Sequence, residues 1–299
     1  MELRCVAARA GRLSGFLKGE LGLSTGLMNR LKFAQQIYVN GVSRRADFPV
    51  SPGDTITVLL DEAEPEYPAE EMPLTILYED EFLLAVDKPA GMLIHPSRHR
   101  DTGTLANGVA WYYRQTGQPC AFHPATRLDR DTFGVVLLGK NAHVHGRLNE
   151  LHARGAMEKT YEALVYGGPE AASGEIDLPI RRRPKPSLLR EVAPDGQRAL
   201  TRYRVLERGE GWSRLALEAV TGRTHQLRVH CAALGFPILG DPQYGTEASL
   251  ALSRALGYET QQLLAARLVL PHPMTGQSLT LLSRMVLRLP GEGCKISNI

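Results

Sequence analysis

Residues 61–81 hold nine aspartates and glutamates and not one lysine or arginine, and this stretch limits what the chain can fold into more than any other. Its first part runs from Asp61 to Pro73 without apolar periodicity and includes Pro65, Pro68 and Pro73, so neither helix nor strand is expected there. A block of like charge cannot cross a hydrophobic core, so two bodies are expected. The sequence divides as a small body (1–62), a linker (63–73), a large body (74–290) and a frayed tail (291–299). Charge reverses on either side of the block. Residues 1–60 carry eight Lys+Arg against four Asp+Glu, and residues 82–299 carry 27 against 19. Two basic bodies joined by an acidic strap suit a polyanion gripped from two sides. On charge alone, ordinary solvated faces explain the asymmetry equally well.

With 299 residues, 43% of them hydrophobic and 22% charged, the chain is that of a soluble globular protein. No run of 18 apolar residues occurs, so no membrane partner is expected. Met1 to Gly11 lack the apolar core of a secretory signal. Cys5, Cys120, Cys231 and Cys294 are scattered and form no CxxC, which fits buried or incidental thiols in a reducing cytoplasm. With no heptad pattern or long apolar patch, a monomer is expected.

In the small body, Leu13, Phe16, Leu17 and Leu21 recur at helical spacing, as do Leu27 and Leu31. Ser24-Thr25 offers an N-cap to the second helix. Ile37–Val42 reads as a strand with an Asn-Gly turn, and Pro52-Gly53-Asp54 is a turn before the alternating strand Thr55–Leu60. Arg30, Lys32, Arg44 and Arg45 supply cations near these turns.

The large body opens with strands near 74–78 and 82–86, and helices are expected over 104–115 and 141–154. Further strands are expected at 158–167, 175–180, 198–206, 212–220, 264–270 and 279–282. Val135-Val136-Leu137-Leu138 reads as a short buried strand preceded by a polar loop that delivers Asp129 to its end. Arg127 and Arg130 flank that carboxylate and favour its ionised form. Taken alone, a plain ion pair in a turn explains Asp129 more simply than catalysis does. Tyr161 shares a strand face with Lys159, Ala163 and Val165, which by itself suits a core tyrosine. Arg181, Arg182 and Arg183, followed by two prolines, read as an irregular basic loop, equally suited to phosphate contact or to solvent. A helix beginning near Thr224 would place Thr224, His225 and Arg228 together and present free N–H groups to a phosphate. His225 and His230 fall on different faces of such a helix, against a metal site.

Several stretches together resemble one family. Arg127-Leu128-Asp129 with Thr132 and Gly134, Lys88-Pro89-Ala90-Gly91, Lys159-Thr160-Tyr161, and Gly222 to His230 with Gly240 to Gly245 are similar, in order, to the motifs of RluA-type pseudouridine synthases. Thr126 stands where the family commonly has His, and Phe133 where it has Ser, Thr or Ala. The Val39-Asn40-Gly41 and Pro52-Gly53-Asp54 spacing resembles the αL RNA-binding domain first recognised in a small-subunit ribosomal protein. The resemblance implies an α+β fold with a mixed, mostly antiparallel sheet and a central cleft. It implies isomerisation of uridine in RNA, leaning towards large-subunit ribosomal RNA with transfer RNA open, and needing neither cofactor nor metal. Asp129 would be the catalytic carboxylate, Arg228 its ion-pair partner, and Tyr161 the residue that stacks on the target base and helps to move a proton. Arg127, Arg223, Thr224, His225 and Gln226 are candidate substrate contacts. Arg30, Lys32, Arg44, Arg45 and Arg181 to Arg183 are candidate RNA contacts. Lys88 receives no catalytic role. A non-catalytic RNA-binding or ribosome-assembly protein on the same fold is the alternative; a metal-dependent RNA hydrolase would require ligands that the spacing does not offer.

Overall fold

A computed structural model describes residues 2–60, 67–97 and 101–290. The expected tail and residues 63–66 of the expected linker lie outside the described residues, as does Cys294.

The small body contains β1 (Glu2–Val6), β2 (Gly11–Arg12), α1 (Leu13–Gly19), α2 (Thr25–Phe33), β3 (Ile37–Val39), β4 (Val42–Ser43), β5 (Pro49–Val50) and β6 (Thr55–Leu59). Ser24 caps α2, its hydroxyl accepting from the Leu27 N–H at 3.2 Å. The apolar faces of both helices close on the alternate residues Ile56 and Val58 of β6. The two expected turns lock each other. Asn40, at φ 50°, donates through its side chain to Asp54 at 2.8 Å and accepts from the Thr55 N–H at 2.9 Å. β1 was not expected. It pairs antiparallel with β6 and completes a sheet of order β1-β6-β3-β4.

The large body is built from β7 (Thr75–Glu79), β8 (Leu83–Lys88), α3 (Leu105–Gln115), β9 (His123–Pro124), β10 (Phe133–Gly139), α4 (Ala142–Ala153), β11 (Glu158–Tyr166) and β12 (Ser173–Asp177), followed by β13 (Ile180–Arg182), β14 (Arg190–Val192), β15 (Leu200–Gly209), β16 (Trp212–Ala219), α5 (Gln226–Ala233), α6 (Glu247–Ala255), β17 (Leu263–Pro271) and β18 (Ser278–Leu282). One ten-stranded sheet runs β12-β15-β16-β11-β17-β10-β8-β7, with β18 added to β17 and β9 to β10. The fold is α+β, and the pairing of β10 with β17 is the sheet's one parallel contact.

β10 and β8 read as continuous apolar runs because both their faces are covered. Val135 and Leu137 join Leu83 and Ala85 under Val144 and Leu148 of α4. Val136 and Leu138 join Leu84 and Val86 under Leu105 and Val109 of α3. Each such side chain contributes about 1.5–3 kcal/mol on burial, so this double layer is a rigid base for what precedes β10. In the other half of the sheet, Ala163, Val165, Leu215 and Leu217 pack under Leu227 and Cys231 of α5.

The linker is tied to the large body, two expectations need correction, and one further helix is present. The expected linker residues 67–73 have neither helix nor strand but are tied to α3: Pro68 O accepts from the Asn107 amide at 2.9 Å, and Glu70 accepts from the Gly103 N–H at 2.6 Å. Arg181 and Arg182 form strand rather than irregular loop, pairing with Glu191 and Arg190 in the β13–β14 hairpin. α5 begins at Gln226 rather than Thr224, because His225 takes the left-handed conformation (φ 57°) and breaks the helix there. α6 was not expected at all; Thr246 and Ser249 form its capping box.

Candidate active site

The loop before β10 carries Asp129 and is staked at three points. At its start, the Thr126 hydroxyl accepts from the Leu137 N–H at 2.9 Å. In its middle, the Lys88 ammonium donates to Arg130 O at 2.9 Å and also to Pro89 O and Met92 O. At its end, the Gln261 amide donates to the Thr132 hydroxyl. The two positions that depart from the family pattern are therefore structural. Thr126 satisfies a strand amide, and Phe133 packs into the cluster around Leu164, Leu239 and Leu264. Lys88 is fully buried, and burial pulls its pKa down to about 8, against the opposing charges of Asp131 and Asp129. Gly134 lets β10 meet β17. At φ +110°, a Cβ there would lie 2.4 Å from Ala265 O.

Neither arginine beside Asp129 in sequence pairs with it. Arg130 binds Asp131 at 2.9 Å, and exposed Arg127 makes no hydrogen bond or ion pair among the described residues. Its partner arrives 99 residues later. Arg228 Nη1 donates to Asp129 Oδ2 at 3.0 Å. The Arg228 guanidinium is almost wholly buried and gripped from behind. Nε and Nη2 donate to the two oxygens of Asp241 at 2.7 and 2.8 Å, and Nη2 also donates to Gln243 Oε1 at 2.7 Å. Burial works against its charge, but Asp241 and then Asp129 outweigh that and hold its pKa above the usual value. The Tyr244 ring lies 4.9 Å from the guanidinium carbon.

His225 approaches the same carboxylate, its Nε2 standing 3.8 Å from Asp129 Oδ2. Its Nδ1 lies 2.8 Å from the Tyr244 hydroxyl, which accepts from the Arg190 N–H at 2.8 Å. Burial lowers the His225 pKa, the Asp129 charge opposing, so the ring is neutral at pH 7. His230 turns elsewhere, to Leu178 O and the Thr201 hydroxyl, so the two histidines do not converge on one point.

Tyr161 lines a narrow crevice with Thr126, Leu128, Ala265 and Arg267. Burial, then the nearby Asp129 charge, pushes its pKa up to about 12, so it stands as a phenol at neutral pH. Lys159 lines the same crevice, its pKa lowered by burial.

The remaining candidates divide. Thr224 is exposed and Arg223 is exposed with Nε on Arg198 O. Gln226 is a correction. It is buried and uses both carbonyl lone pairs, on the Thr221 hydroxyl and the Arg223 N–H, and both amide protons, on Leu200 O and the Thr201 hydroxyl. No group is left for a substrate; it pins the turn before α5. Arg30, Lys32, Arg44 and Arg45 are exposed. Arg30 comes close enough to the large body to help lower the pKa of His123, after burial and His145, to about 4. Arg181 is bound to Glu191 and Asp195 and Arg183 to Glu191, whereas exposed Arg182 donates to Ser187 O and has no ion pair among the described residues, so of the three it alone is an unpaired cation. Lys88, Gln261, Asp241, Gln243 and Tyr244 hold the site and were given no role from sequence. A lysine ending the otherwise apolar run Leu83–Val86 is the signal that could have exposed the first.

The family described as RNA pseudouridylate synthase matches residues 82–233. A Bacillus subtilis protein named "Uncharacterized RNA pseudouridine synthase YjbO" is 36% identical over 264 residues, covering 87% of this chain and 91% of the relative. "Ribosomal large subunit pseudouridine synthase D" of Pseudomonas aeruginosa is 38% identical over 223 residues, 72% of this chain and 69% of the relative. Among solved structures, "Human RNA Pseudouridylate Synthase Domain Containing 1" aligns with a TM-score of 0.60 at 25% identity, covering 72% of this chain and 84% of that one.

Proposed function

The chain belongs to the RNA pseudouridylate synthase family, and from that premise we propose that it isomerises uridine in large-subunit ribosomal RNA with Asp129 as the catalytic carboxylate. That it is an RNA pseudouridine synthase follows from the family. The assignment of Asp129 rests on one observation: its carboxylate is held at 3.0 Å by a buried arginine whose Nε and Nη2 donors are committed to Asp241 and Gln243. Such a carboxylate keeps its aim.

In the reaction the bond from C1′ to N1 of uracil breaks, the base turns, C1′ joins C5, and C5 gives up its proton while N1 takes one up. Nothing is oxidised or hydrolysed. Asp129 initiates cleavage of the glycosidic bond. Tyr161, kept as a phenol by burial, offers a stacking face and a transferable proton rather than a ready base. Arg127, exposed at the loop that carries Asp129, fills the space left as the uridine leaves its stack. Residues 1–62 serve as an αL-type RNA-binding module through Arg30, Lys32, Arg44 and Arg45, and residues 74–290 as the catalytic domain. The ribosomal substrate is supported by the Pseudomonas relative, whose name places its action on the large subunit.

Pseudouridine mapping of total RNA from cells with the protein, without it, and with Asp129→Asn tests this. A large-subunit site lost in the last two identifies the substrate and the carboxylate together. Full modification by Asp129→Asn would sink the assignment. Loss of a transfer RNA site alone would move the substrate.

A further inference from the structure

The Tyr244 hydroxyl has one proton to give. It accepts from the backbone N–H of Arg190 at 2.8 Å and lies 2.8 Å from His225 Nδ1, to which it donates when the imidazole accepts there. An imidazole that accepts at Nδ1 and is neutral carries its own proton on Nε2, the nitrogen 3.8 Å from Asp129 Oδ2. Arg190 begins β14 of an arm that reaches out to Leu188, which is 71% exposed. An exposed hairpin is thus connected to the catalytic carboxylate by a short chain of donors.

We infer that the β13–β14 hairpin is a positioning element of the catalytic centre, acting through Tyr244 to hold His225 as the Nε2–H tautomer with that proton turned toward Asp129. Three features support the assignment. The left-handed backbone at His225 is sparsely populated for a non-glycine residue and persists only where its surroundings hold it. It turns the ring away from the helix surface and into the site. Both His225 Nε2–H and Arg228 Nη1–H face the same oxygen, Oδ2, and Oδ1 has no hydrogen bond among the described residues. The two donors therefore leave one oxygen of Asp129 unencumbered for the substrate. The groups facing His225 are Asp129, Arg228, Arg190, Asp241 and Tyr244. Of these Tyr244 reaches Nδ1, and the Asp129 carboxylate, which can only accept, stands nearest Nε2, so the two together favour a proton on Nε2. RNA that displaces the hairpin would reach Asp129 by this route. The coupling rests on the reading of Asp129 as the catalytic group.

Imidazole 1H–15N spectra of the full chain carrying 15N-histidine test it, with His225 assigned through His225→Gln. At neutral pH the wild type should show His225 protonated on Nε2. Tyr244→Phe should move that signal toward a mixture of tautomers. On tritiated, unmodified total RNA from cells lacking the protein, Tyr244→Phe should lower kcat on the order of tenfold, the equivalent of one hydrogen bond, with KM changed less than about twofold. Arg190→Pro, which removes the donor N–H along with the guanidinium, should reproduce the spectral change, and Arg190→Ala, which removes the same guanidinium but keeps that N–H, should not. A wild-type ring protonated on Nδ1 overturns the inference whether or not the Tyr244 and Arg190 variants fold. So does a Tyr244→Phe protein with unchanged spectrum and kcat. Asp129→Asn run alongside separates the two readings: full activity there refutes the catalytic aspartate whatever His225 shows, and inactivity beside an Nδ1–H ring refutes the hairpin alone.

Discussion

Replacing Arg228 with methionine should damage stability and activity by separable routes. Asp241 is fully buried, and both its oxygens are paired with Arg228. Removing the cation leaves a buried carboxylate uncompensated, a change that costs about 3–5 kcal/mol. The N–H groups of Gln243 and Tyr244 still reach Asp241 Oδ1, which puts the expected loss near the lower end, about 3 kcal/mol. In a body this size that corresponds to a drop in Tm of roughly 6–12 °C. Asp129 would also lose its charge-assisted hydrogen bond, worth about 1.5–3 kcal/mol, or roughly 10–150-fold in kcat. The double variant Arg228→Met/Asp241→Asn removes both members of the buried pair and keeps an acceptor for the two backbone amides. It should recover most of the lost stability and none of the activity. Urea unfolding followed by the fluorescence of Trp111 and Trp212 gives the first quantity, and tritium release from uridine C5 the second. A single variant within about 1 kcal/mol of wild type would refute the argument from burial. Activity returning along with stability would show that Arg228 acts only as a structural cation.

Two further outcomes follow from backbone geometry and from titration. Gly134→Ala places a Cβ 2.4 Å from Ala265 O at φ +110° and should cost at least about 3 kcal/mol, whereas Gly91→Ala, at φ +81° in open space, should cost only about 1–2 kcal/mol; equal melting temperatures for the two would refute the close approach. Lys88 has its folded pKa lowered to about 8 from the ordinary 10.5, so the unfolded chain binds more protons between these values and the folded state gains stability as pH rises through that window. Relative to Lys88→Met, wild type should gain roughly 3 kcal/mol between pH 8 and 10.5, measured by urea unfolding at each pH; a constant difference would show that the ammonium is not desolvated.

Much of the fold was legible because its signals are local. Ser24, Thr104 and Asn141 cap the helices where the sequence places them, and β8, β10, β11 and β16 follow apolar runs or alternation. β1 was missed because its pairing with β6 lies some fifty residues away and five residues with little apolar pattern do not predict an edge. The helix after Gly222 was begun too early because nothing in a sequence marks His225 as left-handed; that conformation is imposed by contacts from Tyr244 and Asp129. For the same reason Gln226, polar and next to candidate contacts, read as a substrate ligand until its four hydrogen bonds were counted. Arg181 to Arg183 read as free cations because Glu191 and Asp195, which bind Arg181 and Arg183, lie beyond the turn. The loop around Asp129 was legible by resemblance. Asp241 and Lys88, which hold the site from behind, were not, because a buried charge in sequence looks like an exposed one.

The two-residue seam between β10 and β17 also governs when the enzyme can exist during its own synthesis. Gly134 leaves the ribosome about 130 residues ahead of its partner Ala265, roughly ten seconds at ordinary elongation rates. Through that interval one edge of an apolar strand stands open, paired only with β8 and β9. β17, whose Ala265 and Arg267 line the crevice beside Tyr161, is still unmade even once Arg228 has emerged. A nascent chain therefore carries Asp129 for nearly half of its translation before that crevice has its second wall, which is built only as the last strands arrive.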